Sequence, residues 1–318
     1  MSTPSLPEPL LQEQRTPAVT AWETGRFLRG RLAKQLLFGE MYEDCERIEG
    51  RYFPKGSRVF SIASAGSTAI FLAVDHRVTA VDINPVQVEY AQSRVQGAPA
   101  IRGAAERLIS RGRRMLSMMG WDREILEPFL LLEDPCAQLA YWNERLNTAR
   151  FRAAMDVMFS PLLLRTVYSQ RFLAVLPEQF GQVLRQRLER TWAVHPNRAN
   201  PYARALLTGE FAPARQSHRA LDLQFAVADA ANYLESCRRG SFDAFTFSNI
   251  LDGASPAYRR RLFAATRRAA SPEAVVVLRS FAQPTGFEYN NAAVEDRSPL
   301  WGVVDVRPVK TLPEGLFS

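Results

Sequence analysis

The sequence predicts an α/β fold built around a doubly wound, mostly parallel sheet. Apolar runs typical of buried strands alternate with segments of helical periodicity, a turn of small residues follows the first run, and an aspartate ends the second. A strand, a tight turn, a helix and a strand with a terminal carboxylate make half of a nucleotide-binding unit. This unit covers residues 58–84 of the 318-residue chain.

The first strand of the unit is predicted from Val59 to Ala63, and the small-residue turn that follows is Ser64-Ala65-Gly66-Ser67. Such a turn lets backbone N–H groups at a helix start approach a ligand closely. The second strand, Val78 to Val81, ends at Asp82, whose carboxylate could accept hydrogen bonds from both hydroxyls of a ribose. The alternative is an ordinary βαβ unit in which Asp82 caps a helix.

The turn contains a single glycine, so the G-x-G-x-x-G dinucleotide fingerprint is incomplete. A ligand without a pyrophosphate needs fewer glycines, because less backbone must approach phosphate oxygens. The turn therefore favours S-adenosylmethionine over NAD as the bound molecule.

The remaining elements follow from periodicity and caps. Helices are expected over residues 20–40, from Asn84-Pro85 to about Val95, and from Pro256 to Ala270 behind a Ser255 cap. Long helical periodicities dominate residues 97–219. Further strands are predicted over 221–227, 242–247, 274–278 and 301–306.

This pattern divides the chain into three parts. Residues 1–45 form an N-terminal helical segment, residues 46–96 and 220–318 a nucleotide-binding domain, and residues 97–219 a helical insertion. The insertion contains apolar residues such as Met155, Met158, Phe159 and Leu162–Leu164, which we expect to fold back over the strand ends as a lid and acceptor pocket.

Ligands of such sheets bind at the carboxyl ends of the strands, which locates the candidate cofactor site. Asp229 is expected at the adenine amine, and Ser248-Asn249 beside the amino-acid portion and the reacting carbon. The full predicted set is Ser61, Ala63, Ser64, Gly66, Asp82, Ile83, Asp229, Ala230, Ser248, Asn249 and Arg279.

Composition narrows the class of protein. The three cysteines and three histidines are scattered, so no metal site or disulfide framework is predicted. The N-terminus has no signal-peptide core, and no apolar run reaches the length of a membrane span, so a cytoplasmic protein is expected. The net charge of +7, with arginines dense over residues 145–190, suits an acidic partner or merely a solvated helix face. Nucleic acid is not expected, because no recognition motif or aromatic interleaving accompanies the arginines.

Several motifs, in their order along the chain, resemble the S-adenosylmethionine:diacylglycerol 3-amino-3-carboxypropyl transferases of betaine-lipid synthesis. The resemblance covers most of residues 38–308. The chain is shorter than those enzymes, and it carries Ser248-Asn249 where they place an acidic residue nearer the strand. The motifs are Tyr42-Glu43-Asp44, Ser61 to Gly66, Ala80 to Asn84, Asn200-Pro201-Tyr202, the strand ending at Arg279, Asp296-Arg297-Ser298 and Trp301-Gly302.

The resemblance implies the Rossmann-like fold of class I S-adenosylmethionine-dependent methyltransferases. It also implies that a different bond of the sulfonium is cleaved from the one that methyltransferases cleave. The acceptor attacks the γ-carbon of the methionine moiety, and methylthioadenosine leaves. A cation should hold the methionine carboxylate, with Arg279 or Arg297 as candidates, and Asp296 or Glu43 should face the α-amino group. The acceptor is a diacylglycerol or a hydroxyl-bearing, phenolic or amine metabolite, and a lipid acceptor would bring peripheral membrane contact.

A hydroxyl acceptor also needs a general base, and Tyr42, Asp252, Asp296 and His218 are the candidates. Two other functions use the same architecture: plain methyl transfer, and nucleotide binding without catalysis. The nucleoside product separates the two transferases, since methyl transfer leaves adenosylhomocysteine. The oligomeric state is not predicted.

Overall fold

The computed structural model describes residues 35–211 and 220–313. A six-stranded sheet with the order β3-β2-β1-β4-β5-β6 forms its centre. Neighbouring strands are parallel except for β6, which is antiparallel to β5. The doubly wound, mostly parallel sheet is therefore confirmed. The strands are β1 (Arg58–Ile62), β2 (Arg77–Asp82), β3 (Leu223–Val227), β4 (Phe242–Thr246), β5 (Ala270–Ser280) and β6 (Val303–Pro308).

Helices connect the strands and fill the predicted insertion. Ten are α1 (Glu49–Tyr52), α2 (Ser67–Leu72), α3 (Pro85–Val95), α4 (Ala104–Ser117), α5 (Arg123–Leu130), α6 (Pro135–Tyr141), α7 (Ala149–Met158), α8 (Pro161–Val167), α9 (Gln170–Leu173) and α10 (Phe180–Val194). The others are α11 (Pro201–Thr208), α12 (Ala230–Ser236) and α13 (Pro256–Ala269). A π-helical turn, Trp142–Leu146, and 3-10 turns at Asn197–Ala199, Ala292–Val294 and Val309–Thr311 complete the described elements.

Both faces of the sheet are covered, because alternate side chains of each strand point to opposite sides. Val59 packs in a core that includes Leu72 of α2, while the next residue, Phe60, packs in a core that includes Leu234 of α12 and Phe263 of α13. The chain thus winds its helices onto both sides of the sheet.

Local capping signals hold as predicted. The Asn84 side chain accepts a hydrogen bond from Val86 N at the start of α3, and Ser255 accepts one from Tyr258 N at the start of α13. Of the predicted helix over 20–40, residues 35–40 are not helical, and the remainder lies outside the described residues.

The insertion is helical, as expected, but it has its own core. Phe129, Trp142, Phe151 and Trp192 are fully buried at its centre, and Met155 packs among them. The apolar faces of these helices therefore bury one another. Leu162 and Leu163, which we expected to cover the strand ends, are exposed.

The insertion nevertheless adjoins the carboxyl edge of the sheet. The rings of Phe172 and Phe281 lie 6.0 Å apart, and a Cβ on Gly253, in the loop after β4, would lie 3.0 Å from Phe172 Cα. Arg187 of α10 donates to the carbonyls of Phe281 and Leu300 in the loop between β5 and β6. In the described part of the chain, no helix is long and apolar enough to cross a membrane.

Candidate functional site

The turn after β1 has the conformation that its small residues permit. Gly66 has φ +84° and caps α2, and a Cβ at that position would lie 3.0 Å from Ala91 Cβ. Only glycine combines this left-handed φ with so close an approach to α3. Ser64 also has a positive φ, of 43°. Ser61 and Ala63, both predicted to bind the cofactor, are buried, so their side chains support the turn from within.

Asp82 lies at the end of β2 beside this turn. Its Oδ2 accepts from Ser64 N at 3.0 Å and its Oδ1 from Asn84 N at 2.9 Å. Burial raises the pKa of Asp82 to about 6. The residue is partly exposed, as is its neighbour Ile83, and a carboxylate has about four acceptor positions, more than the backbone N–H groups of Ser64, Ile83 and Asn84 use.

Asp229 lies close to Asp82 because β3 pairs with β2, and Ala228 N donates to Asp82 O at 3.0 Å. The Asp229 carboxylate caps α12 through Asn232 N at 3.0 Å and accepts from Tyr258 OH at 2.8 Å. Ala230, also predicted as a ligand contact, begins α12 and is buried in the core. The capping role of Asp229 was not predicted.

The strand order reverses between β1 and β4, and ligands of doubly wound sheets bind at such a switch point. Ser248, just past β4, has φ 52°, so a non-glycine residue in the left-handed region follows each of these two strands. Backbone strain of this kind concentrates at functional sites. Ser248 Oγ donates to Glu43 Oε1, which joins the end of β4 to the N-terminal segment.

Glu43 is the buried carboxylate at this switch point. Burial raises its pKa, and the Arg279 guanidinium, with Nη1 3.8 Å from Oε2, opposes that shift. Tyr202 OH donates to Glu43 O at 2.8 Å, which fixes the backbone of the Tyr42-Glu43-Asp44 motif.

Arg279 was predicted to face the cofactor at the carboxyl ends of the strands, but its guanidinium points into the protein interior. Its Nη1 and Nη2 lie 2.5 and 2.9 Å from the two oxygens of Glu49, and its Nε lies 3.4 Å from Asp296 Oδ2. The side chain is completely buried. Its donors are therefore committed to internal carboxylates, which makes it a positioning residue instead of a clamp for a substrate.

Arg297 is committed in the same way. Its Nε and Nη2 lie 2.5 and 2.7 Å from the two oxygens of Asp44, and its guanidinium lies 5.8 Å from the centre of the Tyr202 ring. Asp296 accepts from Asp44 N at 3.3 Å, and Asn200 Nδ2 donates to Arg297 O at 2.9 Å. Motifs more than 150 residues apart thus meet in one hydrogen-bonded cluster.

The predicted base candidates differ in accessibility. Asp296 is 1% exposed, and burial raises its pKa to about 7. The Tyr42 hydroxyl is buried without a hydrogen-bond partner among the described residues, and burial raises its pKa to about 12. His218 lies outside the described residues.

Asp252 is the remaining candidate, and it is partly exposed. Its Oδ1 accepts from Ser280 Oγ at 2.6 Å and its Oδ2 from Phe281 N at 3.0 Å, so it joins the ends of β4 and β5. The Asn249 amide lies 3.5 Å from the same Oδ2. Burial raises the pKa of Asp252 to about 6, a value suited to accepting a proton near neutral pH.

Sequence reasoning missed Glu40. Its Oε2 accepts from Ser67 Oγ at 2.8 Å, at the first residue of α2, and its Oε1 pairs with Arg94 at 2.8 Å. A carboxylate therefore already lies at the helix start where a dinucleotide would place its pyrophosphate. Its only signal in the sequence was the proximity of Glu40 to the Tyr42-Glu43-Asp44 motif.

A second depression, of about 510 Å³, lies at the opposite edge, among Gly56, Arg58, His76 and Asp243. It borders the amino ends of the strands, and Arg58 is already paired with Asp243 at 2.8 Å. This position and pairing do not suit the ligand site of a doubly wound sheet.

Comparison with known proteins yields remote structural likenesses. No protein-family model matches the sequence, and no curated protein matches it. A solved SAM-dependent methyltransferase from Methanosarcina mazei is similar, with a TM-score of 0.34 and 13% identity over 74% of this chain. The chain spans 57% of that protein's length. A likeness of this size carries no argument about chemistry, so the site itself must supply it.

Proposed function

We propose that this chain is an S-adenosylmethionine-dependent 3-amino-3-carboxypropyl transferase that acts on a hydroxyl-type acceptor. The observation that carries the proposal is the group of carboxylates at the carboxyl edge: Glu40 and Asp82 contact the turn after β1, and the buried Glu43 contacts Ser248 after β4. A sulfonium and an ammonium suit this group, whereas the phosphates of NAD would meet carboxylates.

The residues present fit the adenosine part of this substrate. Asp82 would accept hydrogen bonds from the ribose hydroxyls, and Asp229 lies on the neighbouring strand end for the adenine edge. The α-amino group would lie against Glu43, whose carboxylate Ser248 already orients. Removal of either contact should weaken binding without unfolding the sheet.

The proposal that the Cγ–S bond is cleaved rests on two points. The chain resembles the aminocarboxypropyl transferases, and the motifs that carry this resemblance lie together in the structure. Tyr42-Glu43-Asp44, Asn200-Pro201-Tyr202 and Asp296-Arg297-Ser298 form one hydrogen-bonded cluster beside the switch point. This cluster supports a rigid pose of the aminocarboxypropyl arm, which transfer of that arm requires. Arg279 and Arg297 contribute by positioning Glu43 and Asp44.

The sulfonium supplies an electrophile that is already activated. In the proposed step the acceptor oxygen bonds to Cγ, the Cγ–S bond breaks, and methylthioadenosine leaves with the electron pair. Asp252 takes the acceptor proton, since among the described base candidates it is the partly exposed carboxylate, with a pKa raised to about 6. The helical insertion lies beside this residue through Phe172 and Gly253, and would shape the acceptor pocket.

The test is product analysis with S-adenosylmethionine labelled either in the methyl group or in the carboxyl group, incubated with an extract of the host. The proposal expects methylthioadenosine and a carboxyl label in the acceptor fraction. Adenosylhomocysteine with a methyl label in the acceptor would instead establish methyl transfer. Calorimetry that detects no binding of S-adenosylmethionine would overturn the substrate assignment itself.

A further inference from the structure

The outer face of α4 carries three arginines in line. Arg107, Arg111 and Arg114, followed by Met118 at the helix end, are spaced by four, three and four residues. At 3.6 residues per turn these positions fall on one side of the helix. We call these four residues the basic stripe.

The opposite side of α4 holds the helix to the protein. Glu106 accepts from Gly39 N at 2.9 Å, and Arg113 donates to the carbonyl of Leu206 at 3.2 Å. The basic stripe therefore points away from these contacts, and all four of its residues are exposed.

Arg102, just before α4, and the three arginines of the basic stripe have no carboxylate partner among the residues that the structure describes. Arg102, Arg107, Arg111 and Arg114 line, with Ser110, a groove of about 150 Å³. Across residues 35–211 and 220–313, none of these four guanidinium groups forms an ion pair. Four close and unpaired cations form an uncompensated positive surface.

Three arginines of α10 are already engaged inside the protein, which the sequence did not indicate. Arg185 pairs with Asp156 at 2.6 Å, Arg187 donates to loop carbonyls, and Arg190 donates to Trp301 O at 2.9 Å. The expectation that the arginines of 145–190 present a charged face therefore fails for these three, whereas the three arginines of the basic stripe form no ion pair within residues 35–211 and 220–313.

Exposed apolar side chains accompany the cations. Met118 is 80% exposed, Ile101 55% and Leu108 37%. Apolar side chains beside arginines suit a bilayer, in which headgroup phosphates meet the cations and the acyl boundary accepts the apolar groups. A soluble anion or a nucleic acid backbone offers nothing to an exposed methionine.

We propose that the basic stripe of α4 docks this protein on an anionic bilayer surface, with Met118 entering the headgroup region and the arginines contacting lipid phosphates. The docking is independent of the transferase assignment, since it uses no residue of the candidate site. Each arginine near an anionic surface raises the partition coefficient of the protein between bilayer and solution by on the order of fivefold. Loss of all three should therefore lower that coefficient by on the order of a hundredfold.

The experiment is vesicle co-sedimentation of the full chain with phosphatidylglycerol–phosphatidylcholine vesicles and with phosphatidylcholine alone. Wild type should bind the anionic vesicles only, and more weakly as salt rises. The Arg107→Gln, Arg111→Gln, Arg114→Gln triple variant should lose this binding, and Met118→Ser should weaken it. The matched control replaces the exposed Arg238, Arg239 and Arg260 by Gln, which removes the same charge elsewhere.

Equal loss in the control variant would mean that net charge alone drives binding, and would overturn the docking face. Undiminished binding by the triple variant, with an unchanged melting temperature, would do the same. Displacement from vesicles by inorganic phosphate, beyond the effect of chloride at matched ionic strength, would assign the groove to a soluble anion instead. Stripe-dependent binding of a single-stranded oligonucleotide, without vesicle binding, would also overturn the proposal.

Discussion

Arg279 and Glu49 form a two-point ion pair in the interior of the protein, with Nη1–Oε1 and Nη2–Oε2 distances of 2.5 and 2.9 Å. Neither side chain has any exposed surface. Thr246 Oγ1 also donates to Glu49 Oε1, at 2.6 Å, so the pair ties the ends of β4 and β5 to α1. Arg279 Nη1 also lies 3.8 Å from Glu43 Oε2, so the same guanidinium faces the carboxylate at the switch point.

Arg279→Met should lower the free energy of unfolding by about 3–5 kcal/mol, because it leaves buried carboxylates without their cation. Chemical denaturation measures the effect. The control is Arg51→Gln, which breaks the pair with Glu295, whose side chains are 66% and 33% exposed. That variant should change stability by less than about 1 kcal/mol. Equal losses in the two variants would contradict a structural role for Arg279.

Asp82→Asn should weaken binding of S-adenosylmethionine by roughly ten- to a hundredfold, since it removes a charged acceptor from the ribose hydroxyls. Isothermal titration calorimetry measures the affinity. Asp75→Asn, an exposed substitution near the opposite edge of the sheet, should bind as wild type does. An unchanged dissociation constant for Asp82→Asn would remove Asp82 from the site.

Glu43→Gln should lower the rate of aminocarboxypropyl transfer by on the order of tenfold or more, because the neutral amide cannot hold an ammonium as a carboxylate does. Single-turnover kinetics at saturating S-adenosylmethionine separate this loss from weaker binding. Glu46→Gln is the matched control, since Glu46 lies three residues away with a side chain 64% exposed. A normal single-turnover rate in Glu43→Gln would exclude Glu43 from the reacting centre.

The raised pKa of Asp252 predicts that the free energy of unfolding depends on pH. Burial raises its pKa from 3.8 to about 6, so the folded state holds a proton that the unfolded chain releases. Its contribution to stability is therefore present below about pH 4 and is lost as pH rises towards 6. Relative to Asp252→Asn, wild type should lose about 2 kcal/mol of unfolding free energy between pH 4 and pH 7. Parallel stability curves for the two proteins would refute this shift.

Local pattern was sufficient for the individual strands, the Gly66 turn, the end of β2 at Asp82, and the caps at Asn84 and Ser255. Each of these depends on residues within a few positions of one another, where periodicity, small side chains and capping groups act directly on the backbone.

Only the tertiary structure decided which charges meet. The sequence did not show that Arg279 and Arg297 are both neutralised by internal carboxylates. Arg279 pairs with Glu49, 230 residues away, and Arg297 pairs with Asp44, 253 residues away. A guanidinium that appears free in the sequence is committed once burial makes an unpaired charge costly, and its partner is whichever carboxylate the packing brings within reach. The same packing left the arginines of α4 without carboxylate partners among the described residues, on the side of the helix that faces away from its contacts with the protein.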